Sequence, residues 1–470
     1  MTNGEDQSPL PADFGIEDWR RLVQKALGGG DPAMLGSSTR DGIAVEPLYA
    51  RRRDGAPLLG RGACPWTIVQ LVDGTDPDEA NAQALADRDG GATGLAVRFA
   101  GSPLAAGAGL PPSAEALRIA LKDIDPAAVH LRIEPHAETP SATRWLADIV
   151  EKSGTAPELT DIRFGLEPIA SLLGGRVPAT SDIRSHELGR CVRELSTAGF
   201  RGPLALLDGR VCHEAGATEA QEVAVVLAAA SWWLRVLDGE GFAPGKAASH
   251  FGASVAVDQD QLLSVAKLRA LQLVLARFQE ICEAPPSRVP IHAQTSSRML
   301  TRADPTTNLL RTTLAGFAAG VGGADSITVL PYTSALGPAD SDARGLARNI
   351  QHLLIEEAQV HRVADPGAGS GAIEALTDAL AERAWVEFQA IEREGGLIES
   401  LANGAFQARI AEARDALQKD LADGDAPLVG ATIYPAPGEV QPHLPPSPPD
   451  ALSGLGLASV RLEEFAEATG

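Results

Sequence analysis

The sequence predicts an α/β fold of the (β/α)8 barrel type, and three observations point that way. From about residue 90 onward, short apolar and β-branched runs alternate with longer amphipathic runs. Eight strand candidates spread over about 300 residues, the number and span of a (β/α)8 barrel. With 470 residues, 44% hydrophobic and 22% charged, the chain has an ordinary globular composition and enough length for a large core. A doubly wound open sheet gives the same alternation, so the pattern favours the barrel without excluding the sheet.

Taken in order, residues 1–60 read as an arm for subunit contact. It holds one helix near 16–27, with Trp19, Leu22, Val23 and Ala26 on one face, stopped by Gly28, Gly29 and Gly30. Residues 61–400 read as the barrel. Its strand candidates are 95–99, 129–133, 162–166, 204–207, 249–257, 289–293, 327–330 and 362–364. Helices are expected at 78–88, 113–122, 142–152, 185–198, 214–237, 259–282, 305–321, 341–360 and 371–394. Asp258 with Gln261 resembles a capping box, Asp304-Pro305 an N-cap followed by a first-turn proline, and Gly322-Gly323 a helix stop. Residues 401–470 read as an amphipathic helix, a Pro-rich linker at 443–449 and a short acidic helical tail.

The net charge of −22 leaves no basic excess to pair with phosphates, which argues against a nucleic-acid or anionic-membrane partner. The four cysteines, Cys64, Cys191, Cys212 and Cys282, lie far apart, so neither a disulfide scaffold nor a structural zinc site of the usual spacing is expected. No apolar run is read as long enough to span a membrane, and the start of the chain is polar and acidic rather than signal-like; a cytoplasmic location is expected. Neither a dinucleotide fingerprint nor a Walker A sequence occurs. Gly367, Gly369 and Gly371 make a G-x-G-x-G after a strand candidate, which is more often a turn than a phosphate cradle. Glu356-Glu357 is a paired carboxylate that reads first as a solvated face. His292 and Gln294 fall at the C-terminal end of a strand candidate, the edge that carries chemistry in barrels. The residues by themselves name no reaction.

A run of motifs does. They are His292-Ala293-Gln294-Thr295-Ser296, Asp304-Pro305 with Asn308 and Arg311, Ala347-Arg348-Asn349, Glu356-Glu357, Val363-Ala364-Asp365-Pro366, and Glu374-Ala375-Leu376-Thr377. Earlier come Pro65-Trp66-Thr67-Ile68, Glu214-Ala215-Gly216-Ala217 and Ala266-Lys267-Leu268-Arg269-Ala270. In this order and spacing, over roughly residues 15–435, the chain resembles the cobalamin-dependent acyl-CoA mutases, methylmalonyl-CoA mutase in particular. Within that family it is most similar to the small-subunit branch. Asp41-Gly42-Ile43 with Pro47-Leu48-Tyr49, Asp208-Gly209-Arg210 before His213-Glu214, and Ala324-Asp325-Ser326 carry that likeness.

The resemblance implies site residues, and the sequence departs from two of them. His292 matches the family histidine that hydrogen-bonds the substrate thioester carbonyl, and Gln294 and His213 go with it as substrate-binding candidates. Asn349, Gln351 and Glu356 match cofactor-facing positions. Where catalytic chains carry a tyrosine four residues before the proline of P-W-T-I, this chain has Arg61, whose charged planar fork cannot stand in for a phenol. No histidine has an aspartate two residues before it, so the D-x-H-x-x-G cobalt-ligand motif of the flavodoxin-like cobalamin domain is not found in the 470 residues. The resemblance thus implies a small, non-catalytic subunit that binds no cofactor and no metal itself. Its partner would be a homologous large (alpha) subunit holding adenosylcobalamin, as a heterodimer. The alternative is the catalytic substrate-binding chain of a split mutase whose cobalamin domain is a separate polypeptide.

Overall fold

A computed structural model describes residues 15–52, 58, 60–105, 107–173, 181–285, 287–435 and 457–467. The 443–449 linker and the first 14 residues lie outside the described residues. Eight parallel strands form the centre. They are β1 (Thr67–Val72), β2 (Gly94–Val97), β3 (His130–Ile133), β4 (Ile162–Arg163), β5 (Ala205–Asp208), β6 (Phe251–Val257), β7 (Ile291–Thr295) and β8 (Ser326–Thr328). Each pairs with the next in chain order from β1 to β4 and from β5 to β8, and β8 pairs back onto β1. The parallel bridge Leu166–Ala205, with Leu206 N–H donating to the Leu166 carbonyl at 2.8 Å, joins the β4 end to β5 and closes the ring. The alternation is therefore that of a (β/α)8 barrel and not of an open sheet.

The strands are buried on both faces because helices cover the outside and side chains, many of them polar, fill the inside. The expected helices are present with small shifts. Asp304 accepts from Thr307 N–H and starts the helix Pro305–Val321, and Gly322 ends it, as the sequence predicts. The cap of the helix Gln261–Ile281 is Asp260 and not Asp258. Asp258 instead accepts from Asp260 N–H and lies beside Ser264, one turn into the helix. The largest error concerns the strands. Residues 362–364 form no strand; Val360–Arg362 is a tight helical turn entered through Gln359 at φ 54°. The missing member is β1, whose run Thr-Ile-Val-Gln-Leu-Val is nearly all buried. It is short and lacks a polar alternation, so periodicity alone does not mark it as a strand.

One helix, Glu219–Gly239, is long and apolar enough to cross a membrane by length and composition, contrary to the sequence reading. In the fold it is a core helix. It packs on β5, and the helix Gly371–Arg393 packs on it and on Gln261–Ile281 as a further outer layer. Apolar residues all round suit a helix enclosed from both sides.

The arm divides in two. Residues 39–52 lie on the chain's own barrel: Ala220 N–H donates to Asp41, Arg40 lies 3.6 Å from Glu219, and Arg52 N–H donates to the Gly369 carbonyl. The helix Ile16–Ala26 has no buried residue at all. At the other end Leu457 is buried in the main core, and Glu463 accepts from Arg302 N–H in the loop after β7.

Candidate functional site

In barrels of this kind chemistry sits at the C-terminal ends of the strands, across the lumen from its N-terminal mouth. A cavity of about 260 Å³ opens there, lined by residues at the strand starts including Arg61, Thr67, His130, Arg132, His292 and Ser326. Arg61 does not project freely into it. Its Nε donates to the Cys64 carbonyl at 2.6 Å, its Nη1 to the Ala324 carbonyl at 2.5 Å, and its guanidinium sits over the Trp66 ring at 5.1 Å. His292 is the second residue of β7, not near its C-terminal end as expected; β7 begins two residues later than the predicted strand and runs on to Thr295. Its Nδ1 lies 2.8 Å from Ser326 Oγ on β8. Burial, and then the guanidiniums of Arg132 and Arg210, push its pKa well down, so the ring is neutral.

Above the cavity the lumen is filled by charge. Arg210, fully buried, holds Asp208 (Nη2 to Oδ2 2.6 Å), Glu134 (2.8 Å) and Gln294 Oε1 (3.0 Å) at once. Arg132 donates to Glu134 at 3.2 Å and to Ser254 Oγ on β6 at 3.0 Å; Arg98 donates to Gln294 at 3.3 Å. Burial alone would raise the Glu134 carboxyl, but Arg210, Arg132 and Arg98 hold it down at about 2. Burial lowers Arg132 to about 10, leaving it charged at neutral pH. Three guanidiniums and two carboxylates thus span β2, β3, β5 and β7 across the axis, each partly answered by another.

A second buried network lies beside the axis. His213 Nε2 is 3.0 Å from Ser296 Oγ and its Nδ1 is 3.3 Å from Glu222. Glu222 also takes Lys267 Nζ at 2.6 Å and Ala256 N–H at 2.6 Å. Glu214 accepts from Ser297 and from Arg298 N–H. Burial, Arg298 and Lys267 keep His213 neutral. This cluster ties the loop after β7 to the helices after β5 and β6.

The sequence-derived candidates do not converge on one point. His292 lines the mouth, Gln294 accepts hydrogen bonds from two arginines in the filled lumen, and His213 is enclosed beside it. The helix Ser341–His352 runs antiparallel to the strands, away from their C-terminal ends. Asn349 and Glu356 are exposed on its outer side and on the wider turn that follows, while Gln351 accepts from Trp66 Nε1 at 3.1 Å. None of the three faces the strand C-terminal ends. The G-x-G-x-G cradles the chain itself: a Cβ on Gly371 would stand 2.1 Å from the Ala50 carbonyl oxygen, so only glycine lets the arm pass. Sequence reading missed Arg98, Arg132 and Glu134. The usable signal was an arginine inside a strand otherwise buried on both faces, His-Leu-Arg-Ile. Among the described residues no group of three or more histidine, cysteine, aspartate or glutamate side chains is placed to hold a metal.

Comparison with known proteins agrees with the motifs. The profile of the methylmalonyl-CoA mutase family matches residues 205–454. A Streptomyces virginiae protein named methylmalonyl-CoA mutase small subunit is 34% identical over 98% of this chain and 77% of its own length. The Propionibacterium freudenreichii subsp. shermanii protein of the same name is 31% identical over 96% of this chain and 73% of its own. A Cereibacter sphaeroides methylmalonyl-CoA mutase is 27% identical over 89% of this chain and 64% of that protein. The chain belongs to the methylmalonyl-CoA mutase family.

Proposed function

We propose that this chain is the small, non-catalytic structural subunit of a heterodimeric methylmalonyl-CoA mutase, the isomerase that interconverts (R)-methylmalonyl-CoA and succinyl-CoA. Its partner is a homologous large (alpha) subunit, which holds adenosylcobalamin. There the cofactor supplies the radical chemistry, while the protein supplies binding and exclusion of water. The observation that carries the reading is the filled lumen. A substrate on the axis would have to displace Arg210 from Asp208 and Glu134, and stripping one partner from a buried ion pair costs about 3–5 kcal/mol.

Arg61 supports the same reading. Its donors are spent on backbone carbonyls, so it holds the entry to β1 in place and offers nothing phenol-like to a substrate. The residues present do not fit a corrinoid either. The strand C-terminal ends carry buried ion pairs, and His213 and His292 are each tied to a serine inside the fold. His292 serves as a clasp between β7 and β8, and Gln351 as a prop for Trp66. A catalytic chain of a split mutase would need an open axis, which weighs against that alternative. The exposed helix Ile16–Ala26, with Trp19 and Val23 on one face, reaches across to the large subunit.

The test is co-purification with the large subunit followed by cobalamin binding and turnover. The isolated chain is expected to bind no adenosylcobalamin at micromolar concentration in equilibrium dialysis. His292→Ala in this chain is expected to leave turnover of the assembled pair within about twofold, because the barrel is inert, while the buried Ser326 hydroxyl left unpaired costs about 1–3 kcal/mol of stability. Stoichiometric cobalamin binding by the isolated chain would overturn the reading. So would loss of turnover with assembly and melting temperature unchanged.

A further inference from the structure

Large apolar side chains left exposed concentrate in two places, the arm and one stretch of the barrel wall. On the wall they come from two neighbouring helices. Leu310 and Leu314 stand on the outer side of Pro305–Val321, at 65% and 44% exposure, and Leu346 and Leu353 on and just after Ser341–His352, at 40% and 49%. Half-buried Phe317 and Ile350 lie between them. The two helices meet at Gly316, where an added Cβ would touch Ile350 and Leu354 at 3.7 Å. By helical spacing Leu346, Ile350 and Leu353 border this seam on one side and Thr313 on the other, with Leu310 and Phe317 beside it on the outer face, and together they form a shallow apolar groove.

An ordinary solvated helix carries charge on its outer face. Pro305–Val321 carries none there. Its single ionisable residue, Arg311, is turned inward onto Asn308 and the Val429 carbonyl. The helices next along the wall are treated differently, since Gly371–Arg393 covers Glu219–Gly239 and Gln261–Ile281. The exposed charges that border the groove are mostly acidic: Asp342 at one end, and Glu356 and Glu357 with the single base Arg362 at the other. A second copy would bring the same acids to the same place on a chain of net charge −22, which disfavours self-association. A helix with an apolar face and basic flanks complements the groove in shape and in charge.

We infer that the groove between Pro305–Val321 and Ser341–His352 is a docking surface for the large subunit, which inserts there an amphipathic helix flanked by lysine or arginine. The inference rests on the reading of this chain as a subunit of a heterodimer and adds a second contact beyond the arm.

The test compares three forms of this chain, each co-expressed with the large subunit: wild type, Leu310→Glu with Leu353→Glu, and Leu159→Glu. Leu159 is an isolated exposed leucine on the turn Pro157–Leu159, remote from the groove in the element order. All three substituted residues are exposed, so thermal unfolding of each isolated variant is expected to match wild type, and this is measured first. The double variant is expected to weaken pairing at least about 100-fold by titration calorimetry, and Leu159→Glu by less than about twofold. Hydrogen exchange of residues 310–317 and 346–353 is expected to slow on pairing. Wild-type affinity in the double variant, with no slowing of exchange, would overturn the groove while leaving the subunit reading intact. Failure of the wild-type chain to pair with the large subunit would overturn the subunit reading and the groove with it. A wild-type chain that dimerises alone, and stops doing so in the double variant, would make the occupant a second copy and refute the large subunit.

Discussion

The arm and the barrel lumen break the usual partition of side chains in opposite directions. The arm helix Ile16–Ala26 leaves Leu22 half exposed and buries nothing, whereas the lumen buries Arg98, Arg132, Arg210, Glu134 and Asp208. The difference lies in where the missing partner is. Each lumen charge finds an opposite charge or an amide within the same chain, so the set is self-sufficient and fills the axis above the mouth cavity. The apolar face of the arm finds no such partner among the described residues, and burying it is worth about 25 cal/mol per Å² wherever a surface is supplied. The lumen therefore belongs to the stability of this chain, and under the proposed function the arm belongs to its assembly.

The sharpest way to break this comparison is to unpair the lumen. Arg210→Met leaves Asp208 and Glu134 buried with less positive charge, and is expected to cost about 3–5 kcal/mol in urea unfolding. A loss under 1 kcal/mol would mean that the lumen opens to water and is not a sealed plug. The pH dependence sharpens the same point. Glu134 is held at about 2 in the folded protein, below the ordinary 4.5 expected unfolded, so its stabilisation is fully present above about 4.5 and is lost as pH falls toward 2. The amount is on the order of 3 kcal/mol, and Glu134→Gln is expected to flatten that part of the stability–pH curve.

The arm should respond the other way round. Removing residues 1–38 is expected to leave the melting temperature of the isolated chain within about 2 °C, because no residue of the helix is buried. The same truncation should abolish co-elution with the large subunit in size-exclusion chromatography with light scattering. A truncated chain that co-elutes with wild-type affinity would show that the arm has no part in pairing. Gly371→Ala should act between these extremes. It is expected to lift residues 49–52 off the barrel and expose them to limited proteolysis while the barrel core stays folded.

The smallest effect belongs to the joint between the two regions. Burial and the neighbouring Glu219 raise the Asp41 carboxyl to about 6. A carboxyl that is easier to protonate docked than undocked favours docking at low pH. Hydrogen exchange around residues 37–45 is therefore expected to quicken as pH rises through about 6, once intrinsic exchange is corrected for. Asp41→Asn should remove most of that dependence.

Much of the fold was legible in advance. Seven of the eight strands and nearly every helix follow from local periodicity, because neighbours two, three or four residues apart share a face whatever the rest of the chain does. The motifs around His292, Asp304 and Gly322 were likewise readable as family marks, and so was the absence of a phenol at Arg61. β1 escaped because a short run buried on both faces has no period to read. The end of the barrel at which His292 sits escaped because it turns on where β7 starts, and strand ends are set by pairing with β6 and β8. What the lumen holds was decided only by closure. Arg98 and Gln294 are 196 residues apart, and Arg210 and Gln294 are 84 apart. No local pattern relates them; they meet because eight strands curl into a ring that points their side chains at a common axis, where a charge must either find its opposite or stay in water.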